Sequence, residues 1–137
     1  MPIVTTIKKP IRFIQSTGTG SLTSDDFDQY HSLFANNPSI YGFNEILDLS
    51  TADLSALQFS DLMNVAERVS GSQAYDPDSK LAIVLRNKEQ EEVVNLYQMA
   101  RTLSDNPCRS LMVFFSHDEA LKWIMGNPAQ DEHPIAR

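Results

Sequence analysis

The chain reads as a single α/β domain whose mixed sheet opens with an antiparallel hairpin and continues with parallel strands. Three observations predict this. Leu81 to Leu85, LAIVL, and Leu111 to Phe115, LMVFF, are continuous apolar runs, the pattern of strands covered on both faces in a largely parallel sheet. Phe43 to Ser70 reads as a buried strand, a turn-rich loop and a capped helix, the repeating unit of such a sheet. With 137 residues, 42% hydrophobic and 21% charged, the composition is that of an ordinary globular chain. A chain of that size buries about two-thirds of its unfolded surface in one core.

Taken in order, Ile3 to Ile7 and Ile11 to Gln15 are β-prone runs separated by Lys8, Lys9 and Pro10, which suits a hairpin at a sheet edge. Gly18 and Gly20 are expected to break the chain before Leu22. This GTG lacks the further glycine of a dinucleotide fingerprint and the Gly-Lys-Ser/Thr of a phosphate loop. Thr23 is a good N-cap, and Asp25, Asp26 and Asp28 place negative charge at the positive end of the helix dipole. Phe27, Tyr30, His31 and Phe34 then form one apolar stripe, so a first helix is predicted over Ser24 to Ala35, stopped by Asn36, Asn37, Pro38 and Ser39.

Phe43, Ile46, Leu47 and Leu49 supply the next strand, and Ser50 to Ser55 a polar loop. Ser60 is expected to cap a second helix with Leu62, Val65, Ala66 and Val69 on its inner face. Gly71, Asp76, Pro77 and Asp78 punctuate a turn before LAIVL, which is predicted to be the central strand. Asn87 caps a third helix from Lys88 to Leu103 that turns Val93, Leu96, Tyr97 and Ala100 inward, with Asp105, Asn106 and Pro107 as its stop. After LMVFF, Ser116 and Glu119 open a last helix carrying Ala120, Leu121, Trp123 and Ile124, closed by Gly126 and Pro128. The total is about five strands and about four helices, with right-handed crossovers. Residues 1–126 are expected to form the domain and 127–137 a flexible tail.

The formal charge of -7 argues against a surface that grips phosphate backbones, so nucleic acid is not an expected partner. Lys8, Lys9 and Arg12 form a small basic cluster that suits the solvated edge of a hairpin. Cys108 is the single cysteine, which excludes an internal disulfide. No secretory signal and no membrane-spanning apolar stretch is present, so a cytoplasmic protein is expected.

The order of motifs resembles the small bacterial STAS/SEC14-like proteins, relatives of the anti-sigma factor antagonist (STAS) domains. The resemblance rests on Leu22-Thr23-Ser24-Asp25-Asp26 after a glycine, on Ile46-Leu47-Asp48-Leu49, and on Lys80-Leu81-Ala82-Ile83-Val84. It continues in Leu96-Tyr97-Gln98-Met99-Ala100-Arg101, and in Val113-Phe114-Phe115 followed by Asp118-Glu119-Ala120-Leu121-Lys122-Trp123-Ile124, and so spans Ile11 to Ile124. It implies a STAS-like fold and no established catalysis, and no cofactor is expected. It also implies two themes: docking to a protein partner and holding an apolar or lipid-like ligand. Phosphorylated antagonists of the wider group carry a serine in an Asp-Ser-Ser/Thr-Gly motif after the third strand. Here that region reads Gln58-Phe59-Ser60-Asp61-Leu62, without the flanking Asp and Gly.

The candidate residues divide accordingly. Ser50, Thr51, Asp53, Ser60 and Asp61 are expected to form a partner-binding or phosphoacceptor surface, because loops at the C-terminal ends of parallel strands beside a helix N-terminus are where such sheets present sites. Ser60 serves equally as a plain helix cap. Tyr97, Phe114 and Trp123 are the alternative, lining a pocket for an apolar or lipid-like molecule, or else serving as core. Asp25, Asp26, Asp28 and His31 are metal-ligand types in proximity, but they read more simply as dipole-serving carboxylates and a core-edge histidine, and no metal site is expected. Cys108 and His117 flank the last strand at opposite ends and are not expected to meet; His133 falls in the tail. The expected protein is therefore a non-enzymatic regulatory or partner-binding module, with a carrier or sensor of an apolar ligand as the alternative and a homodimer open to it.

Overall fold

A computed structural model describes residues 2–70, 72, 74–75, 77–103 and 109–126. The chain forms β1 (Ile3–Lys8), β2 (Phe13–Ser21), α1 (Ser24–Ala35), β3 (Asn44–Asp53), α2 (Phe59–Ser70), β4 (Lys80–Val84), α3 (Lys88–Leu103), β5 (Ser110–Phe114) and α4 (His117–Ile124), with 3-10 turns at Lys9–Ile11 and Pro38–Ile40. The strands lie in sequence order, β1 antiparallel to β2 and the rest parallel. Gly71, Asp76, the stop at Asp105 to Pro107, Cys108, Pro128, His133 and the rest of the 127–137 tail lie outside the described residues.

Side chains alternate across each strand, which sorts the core into two layers. Ile14, Leu47, Leu49, Leu81 and Ile83 face α1, α2 and α3 in one cluster, with Tyr30, Phe34, Val69 and Val94 from the helices. Phe13, Ile46, Ala82 and Val84 face the opposite way and are covered by Ala120 and Ile124 of α4. The capping predicted for α1 is present. The Thr23 hydroxyl accepts from the Asp26 N–H, and the Asp26 carboxylate accepts from the Thr23 N–H at 2.8 Å.

Five expectations are corrected. First, β2 does not stop at the glycines but runs through Gly18 and Gly20 to Ser21, with a register shift between Thr17 and Thr19. Pairing carries it on, Gly18 with Ile3 of β1 and Thr19 to Ser21 with β3, and the glycine suits its place because a Cβ on Gly18 would meet Leu49 Cδ2 at 3.0 Å and Leu22 Cδ1 at 3.1 Å. Gly20, at φ +69°, adopts the left-handed backbone at the strand's end. Second, β3 continues to Asp53, so Ser50, Thr51 and Asp53 belong to a strand and the loop is only Leu54 to Gln58. The extension is stabilised by β2, whose Thr19, Gly20 and Ser21 pair with Thr51, Ala52 and Asp53.

Third, the middle strand is β3 rather than LAIVL, which lies next to it, and β5 is an edge strand. Edge position explains why only Phe114 of β5 is fully buried and why Phe115, beyond the strand, is 54% exposed. Fourth, α2 starts at Phe59, so Ser60 lies inside its first turn and is exposed instead of capping it; the Asp61 carboxylate accepts from the Gln58 N–H at 2.9 Å. Fifth, Leu96 points outward, and the inner face of α3 is Gln90, Val94 and Ala100, with Val93 and Tyr97 half-buried.

Gln90 explains how β3 outlasts its neighbour. Pairing with β4 ends at Asp48 and Val84, and beyond it the Gln90 amide donates to the carbonyls of Leu49 at 2.7 Å and Ala52 at 2.9 Å. Its own carbonyl accepts from the Arg86 N–H, so this buried side chain is paired at both ends and pins α3 to the end of β3.

Candidate functional site

The helix side of the sheet encloses a cavity of about 90 Å³. Its floor is Glu45, Leu47 and Leu49 of β3 with Leu81 and Ile83 of β4, and its roof is Tyr30, Leu62, Val69 and Val94 from the helices. Phe27, His31, Leu57 and Val65, all half-buried, form the side nearer solvent. Across that side Arg68 of α2 pairs with Asp28 of α1, an exposed bridge of the kind worth about 0–1 kcal/mol. The walls are mostly apolar, since Leu47, Leu49, Leu81 and Ile83 of the strands that face the helices belong to the core.

The exception is an ion pair. Arg109 Nη2 donates to Glu45 Oε1 at 2.7 Å, and both side chains are buried. Glu45 is fully enclosed because its position on β3 is inward, in line with Leu47 and Leu49. Arg109 comes from the segment just before β5; its guanidinium lies 4.4 Å from the Tyr75 ring centre, and its carbonyl accepts from Arg101 Nη2. Burial pushes the Glu45 carboxyl above the ordinary carboxylate range, while the charge and hydrogen bond of Arg109 pull it back. For Arg109, burial is the largest influence and opposes the charge, but the charge and hydrogen bond of Glu45 together with Tyr75 and Tyr97 outweigh it and hold the guanidinium above its ordinary pKa. The other carboxylate oxygen, Glu45 Oε2, is buried and has no hydrogen-bond partner among the described residues.

His31 sits at the cavity's edge with Nδ1 3.0 Å from the Tyr75 hydroxyl and its ring stacked on Tyr75. Burial, and then the charge of Arg68, hold its pKa below the usual 6.5, against the opposite pull of Asp28. The sign of the consequence follows from linkage. As pH falls through 6.5 the unfolded chain takes up a proton that folded His31 refuses, so this stability is complete above the unfolded pKa and declines toward the folded one. Urea unfolding of wild type and His31→Gln on either side of pH 6.5 checks this. Wild type loses more stability than the variant on the acid side, and an equal or larger loss in the variant contradicts it.

The residues singled out from the sequence are distributed otherwise than expected. The Ser50 hydroxyl and N–H both donate to Asp48 Oδ1, at 2.6 and 2.9 Å, and the Thr51 hydroxyl donates to the Gly18 carbonyl at 3.1 Å. The Ser55 hydroxyl and backbone N–H hold the Asp53 carboxyl below its ordinary pKa, and Asp61 accepts from Gln58. Four of the five polar residues are thus engaged in shaping their own strand and turn. Ser60 is exposed, beside Phe59, which is 40% exposed.

Tyr97, Phe114 and Trp123 do not line one pocket. Tyr97 faces the α1–α3 cavity, whereas Phe114 and Trp123, 5.7 Å apart, pack on the α4 side of the sheet. Asp28 and His31 are turned to Arg68 and Tyr75 respectively, and no group of three or more potential metal ligands occurs among the described residues. Glu45, Arg109 and Gln90 were not anticipated. An acidic residue at an inward position of an apolar strand was the one available signal for Glu45; its partner lies 64 residues away and announces itself by no spacing.

No helix of the described residues is long and apolar enough to cross a membrane. No protein-family model matches the chain, and no curated protein matches it. Among solved structures, it is similar to an uncharacterised protein of the DUF3478 family with a SpoIIAA-like fold from Shewanella loihica PV-4. The two share 17% identity at a TM-score of 0.55, over 89% of this chain and 93% of that one. The likeness is one of fold: that protein's is SpoIIAA-like, and the described residues of this chain form a mixed five-stranded sheet with four helices.

Proposed function

We propose that this is a non-catalytic, cytoplasmic binding module of the STAS type that senses or carries a small apolar molecule between the sheet and α1 to α3. The observation that carries this reading is the apolar cavity itself, since a core of this size is ordinarily packed without voids larger than a water. Its volume of about 90 Å³ also sets a limit: a single ring enters only with a small outward give of the walls, and an extended acyl chain requires the helices to part.

Native mass spectrometry of the protein purified from its own cells tests the reading. Wild type should carry a small-molecule adduct that is depleted in Val93→Phe, which fills the cavity from its helix wall. Wild type without any adduct counts against it. A second reading, a regulatory module docking a protein partner through 54–58 and the start of α2, is favoured by the exposed ring of Phe59 next to Ser60. There a purified complex with one defined partner should dissociate on Phe59→Asp, while the cavity variant leaves it intact.

A further inference from the structure

We propose that the cavity under α1 to α3 selects an uncharged, hydroxyl-bearing apolar molecule of about phenol size, whose hydroxyl donates to Glu45 Oε2. This rests on the reading of the cavity as a ligand site and adds the chemistry of the ligand. Glu45 is 0% exposed, lines the cavity, and gives only one of its two oxygens to Arg109. A buried carboxylate oxygen left without a donor is costly, and a ligand that brings a donor recovers that cost while its body replaces void with contact.

Charge narrows the class. Glu45 and Arg109 already neutralise each other at 2.7 Å, so an ammonium group would introduce an uncompensated buried positive charge beside a guanidinium. A carboxylate would face the Glu45 oxygen directly. A neutral hydroxyl satisfies the acceptor without either penalty. Size narrows it further: a dry cavity of about 150 Å³ accommodates benzene. This one, at about 90 Å³, takes a single ring only with a small outward give at Phe27, Leu57 and Val65, the half-buried residues on the solvent side.

Phenol and toluene are the probes, one ring with and without the donor, titrated into the wild-type protein and followed by amide and methyl NMR shifts. The expected result is perturbation centred on Leu47, Ile83 and Val94, with phenol bound at least about tenfold tighter than toluene, as one hydrogen bond to a charged acceptor supplies. Benzylamine should give no such perturbation. Equal binding of phenol and toluene in the cavity overturns the donor assignment but leaves the cavity as a ligand site. Binding of neither overturns both. The double variant Glu45→Leu/Arg109→Leu should bring the phenol-to-toluene ratio to about one. A retained preference also overturns the assignment, and if that variant does not fold the wild-type ratio decides alone.

Discussion

Arg109→Ala should lower the folding stability by about 3–5 kcal/mol. The substitution leaves the Glu45 carboxyl at 0% exposure with neither the 2.7 Å donor nor the positive charge that opposes the penalty of burial. Part of the loss is also the guanidinium's stacking on Tyr75. The comparison that isolates the pair is a double-mutant cycle. Glu45→Leu/Arg109→Leu removes both charges together and should recover most of the stability, because a buried ion pair is worth little relative to well-packed apolar residues even though either half alone is very costly. Urea unfolding of wild type, Glu45→Leu, Arg109→Leu and the double variant, with Arg109→Ala beside them, reads this directly. A double variant no more stable than Arg109→Ala would show that shape, not charge, determines the site.

Ile46→Ala should cost about 2–5 kcal/mol for a different reason. Ile46 is 0% exposed in the middle strand and faces away from the cavity, into the smaller cluster of Phe13, Ala82, Val84, Phe114, Ala120 and Ile124. Among the described residues that layer is covered by α4, and two of its contacts are the small Ala82 and Ala120, so little side-chain volume is at hand to collapse into the space left. Leu103→Ala, at a residue 64% exposed on α3, is the control and should change stability by less than about 0.5 kcal/mol. A lower urea midpoint at unchanged slope for Ile46→Ala, with Leu103→Ala near wild type, is the expected pattern. An Ile46→Ala protein as stable as the control would contradict the two-layer core.

The contrast between these two residues also indicates what the sequence makes legible. Ile46 belongs to an apolar run, and such runs, with the Thr23 capping box and the Asn87 and Ser116 caps, carry the architecture because their signals are local. What local signals miss is decided by neighbours distant in the chain. The glycines at 18 and 20 read as a break, yet at Gly18 the methyl ends of Leu22 and Leu49 crowd the place a Cβ would take. Ser50 to Asp53 read as a loop by composition, yet pairing with β2 and the Gln90 amide hold them as strand. The site shows the same limit more sharply. Tyr97, Phe114 and Trp123 share aromatic character but not a face of the sheet, since strand parity sends Phe114 toward α4 and the helix after β4 places Tyr97 over the cavity. Glu45 and Arg109 meet only because β3 and the entry to β5 converge in the folded chain.

Between the parallel sheet and α1 to α3 lies an apolar space, not close-packed core. A crystal structure of the protein under xenon pressure tests it most directly, because xenon occupies apolar cavities of this kind without needing a polar partner. The account predicts a xenon site bounded by Leu47, Ile83 and Val94 on the Glu45 side of β3. Side chains meeting across that volume, with no xenon between them, would contradict it.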